Sequence, residues 1–394
     1  MKKKFVPYIV GLPNLGVGLL WAMNMSVIPL FVSKLNVSNA QQGRLISMGA
    51  FTGIFVQYLV GLLSDRSNFK MGKRKPFMIM GSVLAALFLI LLPYTNTYMT
   101  AFMLAFLFYF FLNFYQGPYY SLIPEAVDEK ELGLANGFAR VVSVIGSAII
   151  FMLGPSLWEK NYKYPFYLGA ILGLVTVVIT VFLVREDTSK YEKPNKVSFD
   201  FIKFPSVLKL YLSVFMVYMS FGFITPFFVK YCTTNLNISN SDANNALLIL
   251  TLAGAVFAVP IGKLADKIEK RKVLLLGVVL FALSLALGTF VKNKTALFAI
   301  MAVIGIGFIA IQITTYSILA EIVPPERLGE FMGMMNLFIS LPQFLANNIM
   351  GFMLDRFGYG VFFPTAAVAM VIAGLIILTS RFNKYISKGI SSSL

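Results

Sequence analysis

Gly61-Leu62-Leu63-Ser64-Asp65-Arg66 closes one apolar run, and Gly262-Lys263-Leu264-Ala265-Asp266-Lys267 closes another 201 positions later. A basic cluster follows each, Gly72-Lys73-Arg74-Lys75 in the first case and Lys270-Arg271-Lys272 in the second. A closer echo pairs Tyr120-Ser121-Leu122-Ile123-Pro124-Glu125 with Tyr316-Ser317-Ile318-Leu319-Ala320-Glu321, and Leu132-Gly133 with Leu328-Gly329, all at an offset of 196. Two echoes in the same order, each beside an apolar span, mean that the chain is built as two parallel halves. Parallel halves of this kind are the build of transporters that rock about a site at the repeat interface.

The composition says what surrounds the halves. Of 394 residues, 58% are hydrophobic and 13% charged, whereas a soluble domain carries about 25% charged residues. Most of the surface must therefore face lipid. Crossing about 30 Å of hydrocarbon takes about 20 apolar residues. Such stretches fall near 7–32, 44–63, 76–95, 98–122, 134–156 and 164–184, then near 206–229, 244–262, 272–291, 295–320, 329–353 and 359–380. The expected fold is an all-α membrane protein with twelve transmembrane helices in two six-helix pseudo-repeats. Its expected parts are an N-terminal bundle 1–184, a polar linker 185–205 and a C-terminal bundle 206–394 ending in a short tail. The start, Met1-Lys2-Lys3-Lys4 and an apolar run, has the outline of a signal peptide. Pro7 and Asn14 interrupt it and no small-residue cleavage site follows, so it is expected to be a retained first helix.

The net charge of +16 raises the question of a nucleic-acid partner. Its distribution answers it. With the N-terminus placed inside, 25 lysines and arginines fall in inside segments and 8 in outside loops. That bias puts both termini in the cytoplasm of a plasma (inner) membrane and accounts for the basic charge as topology, with no nucleic acid required. There is one cysteine, Cys232, expected to pack, and no histidine. No intrachain disulfide can form, and the usual metal ligand and neutral-pH switch are missing. No nucleophile–base pair, metal cluster or phosphate-cradling loop is visible, so neither an enzyme nor a cofactor is expected.

Polar residues inside spans carry the site. Tyr109, Asn113, Gln116 and Tyr120 are spaced 4, 3 and 4 and share one face of the fourth helix; Asn336, Ser340, Gln343 and Asn347 repeat that spacing on the eleventh. Gln312 and Tyr316 are four apart on the tenth. Such a face will not point at lipid, where each unpaired polar group is costly. It lines a cavity or bonds to other helices, and single amides of this kind also serve as interhelical glue. A neutral polyol needs amides that donate and accept, with aromatic faces for the apolar side of a sugar ring. Trp21, Asn24 and Gln57 on the first two helices complete the candidate ring. A neutral lining of this kind disfavours phosphate esters and polyamines.

The motif G-x-L-x-D-R followed by G-K-R-K resembles the signature loop of the major facilitator superfamily. The run Gly53-x-x-Val56-Gln57-x-x-Val60-Gly61, with Ser64-Asp65-Arg66, Gly72-Lys73-Arg74-Lys75-Pro76-Phe77, Gln116-Gly117-Pro118 and Asn336-Leu337-x-x-x-x-Pro342-Gln343, resembles its sucrose-transporter-like branch of glycoside carriers. The resemblance covers most of the chain. It implies twelve helices, a central sugar site and proton symport, the sugar being a maltose- or sucrose-type disaccharide. It also implies cytoplasmic loops that latch the halves together: Asp65 and Asp266 against helix ends, Arg66 and Arg74 toward Glu125, with Arg140, Lys267, Arg271 and Glu321 in the same gate. The other reading of these charges is topology alone, and it suits Lys70, Lys73 and Lys75 best.

Proton coupling is where the chain departs from that resemblance. All 17 acidic residues fall in loops or at span ends. In the plant sucrose carriers the fourth helix holds an aspartate and an arginine where this chain has Tyr109 and Tyr120. The residues point to a uniporter, or to coupling through an edge group such as Glu125, Arg140 or Glu321. Expected partners are thus a small sugar, the lipid bilayer and, on the family pattern, protons, with a monomer as the working unit. Two rivals remain: a carrier of another neutral solute, such as a peptide or drug, and a membrane sugar receptor that does not transport.

Overall fold

The computed structural model describes residues 3–67, 69–186, 200–324 and 327–382. Most of the expected linker and the C-terminal tail therefore lie outside the described residues. Among those described, twelve helices are long and apolar enough to cross a membrane. They are α1 (Val6–Ser33), α2 (Asn39–Arg66), α3 (Lys75–Tyr94), α4 (Tyr98–Ala126), α5 (Glu129–Lys160) and α6 (Tyr164–Leu183), then α7 (Pro205–Thr234), α8 (Asn240–Lys267), α9 (Lys270–Gly288), α10 (Lys294–Ile322), α11 (Leu328–Phe357) and α12 (Tyr359–Leu378). All twelve coincide with the stretches read from the sequence. Ser38, Thr97, Ser239 and Asn293 accept backbone N–H bonds and start α2, α4, α8 and α10, and three of these, α2, α8 and α10, begin in polar sequence ahead of the apolar run.

Helix packing repeats six helices on. The pairs α1–α5, α2–α4, α3–α4, α1–α6 and α3–α6 recur as α7–α11, α8–α10, α9–α10, α7–α12 and α9–α12. The outer faces carry the lipid-facing side chains, such as Leu63, Met99, Phe182, Val256, Leu287 and Val368, all exposed. The two halves meet through α2 against α11 and α5 against α8. Gly43 makes the first of these contacts possible: a Cβ there would lie 2.2 Å from the Asn347 carbonyl oxygen.

Helices α1 and α7 are both interrupted. The first breaks at Leu12, ahead of Pro13, and again at Ser26; the seventh breaks between Ile224 and Phe228, around Pro226. A break frees backbone groups that lipid cannot satisfy. At α7 the opposite half supplies the partner, Gln42 Nε2 donating to the Pro226 carbonyl at 2.7 Å; at α1 the Ser26 side chain bonds across the halves to Asn244 Oδ1.

These bonds cluster at one end of the molecule. Asp355 accepts from the backbone N–H groups of Asn39 (2.8 Å) and Ala40 (2.9 Å), Lys230 Nζ donates to Asn39 Oδ1 at 2.8 Å, and Asn348 Nδ2 donates to Ser47 Oγ at 3.1 Å. The face holding Asp65, Arg74, Glu125, Lys270 and Glu321, the basic face below, is different. The ion pairs described there stay within one half. The halves are thus closed together at the face opposite the basic one.

Candidate functional site

Between the halves lies a cavity of about 480 Å³, within the roughly 300–1,000 Å³ of small-molecule sites. Of the eleven residues expected to bind substrate, Trp21, Asn24, Gln57, Asn113, Gln116, Tyr120, Gln312, Tyr316, Asn336 and Gln343 line it. Tyr109 does not. It is fully buried behind the wall, where its hydroxyl donates to Asn24 Oδ1 at 2.5 Å. Helical spacing put it on the right face of α4, but it stands one layer back and orients a wall residue.

The α2–α4 wall is a chain of amides. Gln57 Nε2 donates to Asn113 Oδ1 at 2.6 Å and to Gln116 Oε1 at 3.2 Å. Asn113 Nδ2 is spent on Gly49 O, Thr52 Oγ1 and Tyr109 O, at 3.1, 2.9 and 3.0 Å. Asn113 therefore has little left for a ligand and works mainly as the glue that fixes Gln57. Gln116 differs. It lines the cavity yet is 1% exposed, and its Nε2, buried just behind the surface, has no hydrogen-bond partner. A buried unsatisfied amide costs about 1–3 kcal/mol, a debt that a ligand oxygen would cancel. The wall is this tight because of Gly117, where a Cβ would stand 2.3 Å from the Gln57 carbonyl oxygen.

The other half answers this wall. Gln312 and Tyr316 on α10 stand 196 positions after Gln116 and Tyr120 on α4, and the two tyrosines are equally exposed, at 43%. Gln312 Nε2 donates to Tyr218 Oη at 3.4 Å, and Phe221 stacks on Phe308 with ring centres 4.8 Å apart. Asn336 is exposed to the cavity, whereas Gln343 Nε2 is turned back to Ile339 O at 2.9 Å.

One gate residue is placed elsewhere than expected. Arg140 lines the central cavity, and its Nη2 donates to Gln312 Oε1 at 2.6 Å across the two halves. The lining therefore carries a positive charge, which corrects the expectation of a neutral site and removes its argument against anionic substrates. The sequence also left out Ser143, Ser147, Tyr218, Phe221 and Thr225, which share the lining. The signal was available: Arg140, Ser143 and Ser147 are spaced 3 and 4, the helical pattern used for α4.

At the basic face, Arg74 is 3% exposed and joins Asp65 and Glu125, with Nη2 to Glu125 Oε1 at 2.6 Å and Nη1 to Ser64 Oγ at 2.5 Å. Burial pulls the pKa of the guanidinium down, but Glu125 and Asp65 together outweigh it and hold it above its ordinary value. Asp65 was expected to latch onto a helix of the other half. In this conformation it pairs within its own half, because Arg74 is closer and the basic faces of the halves are not joined. The equivalent pair is Lys270 with Glu321 at 2.6 Å; both pairs are 51 residues apart in sequence. Arg271 donates to the carbonyls of Ile377 and Leu378 at 3.1 and 2.6 Å, a cation on the end of α12. Arg66, Asp266 and Lys267 are exposed. A cleft of about 1,010 Å³ beside Asp65, Arg74, Glu125 and Asp128 opens on this face. It is larger than the central cavity, but it is charged surface among loops.

The sequence matches the Major Facilitator Superfamily over residues 14–209 and again over 210–392. It is 22% identical over 371 residues to an uncharacterized MFS-type transporter of Methanocaldococcus jannaschii, covering 90% of each chain. It is 23% identical over 220 residues to a sucrose transport protein of Arabidopsis thaliana, covering 46% of this chain and 37% of that protein. Among solved structures, a D-xylose-proton symporter superposes with a TM-score of 0.79 at 13% identity, covering 96% of this chain and 99% of that one. A mutant of the nucleoside transporter NupG gives 0.80 at 14% identity, covering 95% and 99%. The repeated halves, the cavity between them and these matches agree: the chain is a multi-pass membrane transporter that belongs to the Major Facilitator Superfamily.

Proposed function

We propose that this transporter moves a disaccharide-sized sugar across the plasma membrane by alternating access, with its basic face in the cytoplasm. The observation that carries this reading is the pairing of Gln116 and Tyr120 with Gln312 and Tyr316 across one cavity, with the Gln116 amide nitrogen still unpartnered. Amides and phenols facing each other from the two halves suit a ligand covered in hydroxyls. The flat faces of Trp21, Phe221 and Phe308 suit the apolar side of a sugar ring. Sequence likeness to a plant sucrose transport protein supports the same substrate class.

On this reading the structure is inward-facing, since the halves are closed at the face opposite the basic one. No carboxylate among the described residues lines the cavity. Glu125 and Glu321 at the basic face are engaged by Arg74 and Lys270. Movement down the sugar gradient follows, without proton drive. The test is uptake of radiolabelled maltose and sucrose into proteoliposomes, with and without an imposed proton gradient. Equilibration to one endpoint in both cases is expected. Accumulation above equilibrium only with the gradient would make the protein a symporter, and no uptake of these sugars or of any other disaccharide, neutral or acidic, would remove the disaccharide reading.

A further inference from the structure

Arg140 stands within five residues of the middle of α5 (Glu129–Lys160), about 7 Å along the axis. An arginine within a membrane-spanning helix ordinarily has a charged partner or a functional one. The partner here, Gln312, is neutral. Arg140 is the one charged residue among those described on the cavity wall, and it is exposed to the cavity. While the cavity is open, water solvates it.

Alternating access makes this arrangement consequential. Between its two open states the cavity must close over its contents and expel water. Closing over a guanidinium with no counter-charge is opposed by its desolvation. A carboxylate bound bidentate to the same fork removes that penalty, in the geometry that suits arginine best. We infer that the transported sugar bears a single carboxylate and that Arg140 receives it, so that closure of the cavity depends on the anion. One guanidinium matches one negative charge. The remaining lining, Gln57, Gln116, Tyr120, Asn336 and Tyr316, is equipped for hydroxyls. The inference rests on the sugar reading above and narrows it to acidic sugars such as aldonate- or uronate-ended glycosides. A second consequence follows: an empty cavity closes slowly over its bare cation, so exchange of labelled for unlabelled substrate outruns net flux.

Trp21 lies on the cavity wall and is one of two tryptophans, so its fluorescence in a Trp158→Phe background reports binding. The probes are three pairs that differ in an acid group: maltobionate and maltose, lactobionate and lactose, glucuronate and glucose. At least one acid should bind about tenfold more tightly than its neutral counterpart, the equivalent of about 1.4 kcal/mol. Arg140→Gln should erase that preference by weakening the acid alone, and Arg140→Lys should keep part of it. The preference is measured first on the unsubstituted cavity, so it stands whether or not the variants fold. Equal binding within every pair, untouched by Arg140→Gln, would overturn the inference and leave the sugar reading standing. Tight, Arg140-dependent binding of lactate or benzoate, with none of the sugar acids bound, would keep the anion and remove the sugar.

Discussion

The Asp355 carboxylate at the end of α11 caps the first turn of α2, accepting the Asn39 backbone N–H at 2.8 Å and the Ala40 N–H at 2.9 Å. An anion on the positive end of a helix is a favourable pairing, and this one joins the two halves. Charge-assisted bonds of this kind contribute about 1.5–3 kcal/mol each. Asp355→Ala should therefore shift the balance toward the state open at this face, by about a hundredfold or more if both bonds are lost. Spin labels at Lys160 and Thr234, both exposed near this face, would report it as a growing long-distance population. An unchanged distance distribution would mean that the α2–α11 packing alone holds the closed state.

Two glycines separate closure from integrity. At Gly43 an added methyl would press on the Asn347 carbonyl of the other half, whereas at Gly117 it would press on the Gln57 carbonyl of the same half. Gly43→Ala should yield folded protein biased toward opening at the far face, with labels moving as for Asp355→Ala. Gly117→Ala cannot relieve its clash by a rigid rotation of the halves. It should lower the melting temperature and the yield, and equal behaviour of the two variants in both assays would contradict this.

The paired ions at the basic face are equivalent in position and unequal in worth. The Arg74 side chain is 4% exposed and serves two carboxylates, so removing it strands buried charge, at about 3–5 kcal/mol. Lys270 and Glu321 are 23% and 32% exposed, and their pair contributes about 0.2–1 kcal/mol. In detergent, Arg74→Met should lower the melting temperature by about 6–20 °C and Lys270→Met by about 4 °C at most, on the scale of about 2–4 °C per kcal/mol. The reverse order would show that burial does not set the cost.

Gln116 tests the site with the least structural interference, because its Nε2 holds no bond and its Oε1 accepts only from Gln57 Nε2, at 3.2 Å, which keeps its shorter bond to Asn113. Gln116→Ala should weaken ligand quenching of Trp21 by about tenfold or more, the cost of one good hydrogen bond in a buried site, and shift melting little. Asn113→Ala, which removes three donor contacts, should instead lower stability together with binding. A Gln116→Ala variant that binds as tightly as the parent would take the α4 wall out of the site.

The element plan was legible because lipid enforces it. Each crossing needs an apolar run of fixed length, so all twelve spans and the repeat at an offset of 196 could be read directly. That ten of the eleven residues expected at the site line the central cavity has a related reason, since polar groups inside spans have few places to go. Tyr109 was misplaced because helical spacing gives a face and not a depth. Arg140 was placed in the gate as the last cation of an inside segment, whereas it lies on the cavity-facing side of α5 and meets Gln312 of the other half.

The sequence by itself determined that this protein crosses a membrane twelve times as two repeated halves, because composition and periodicity are local and answer to the solvent around each helix. The tertiary structure decided which face is closed, that Asp65 pairs with Arg74 and not with the other half, and that Arg140 reaches Gln312 inside the cavity. Those are relations between helices far apart in the chain, fixed by packing at points such as Gly43 and Gly117, and no single segment contains them.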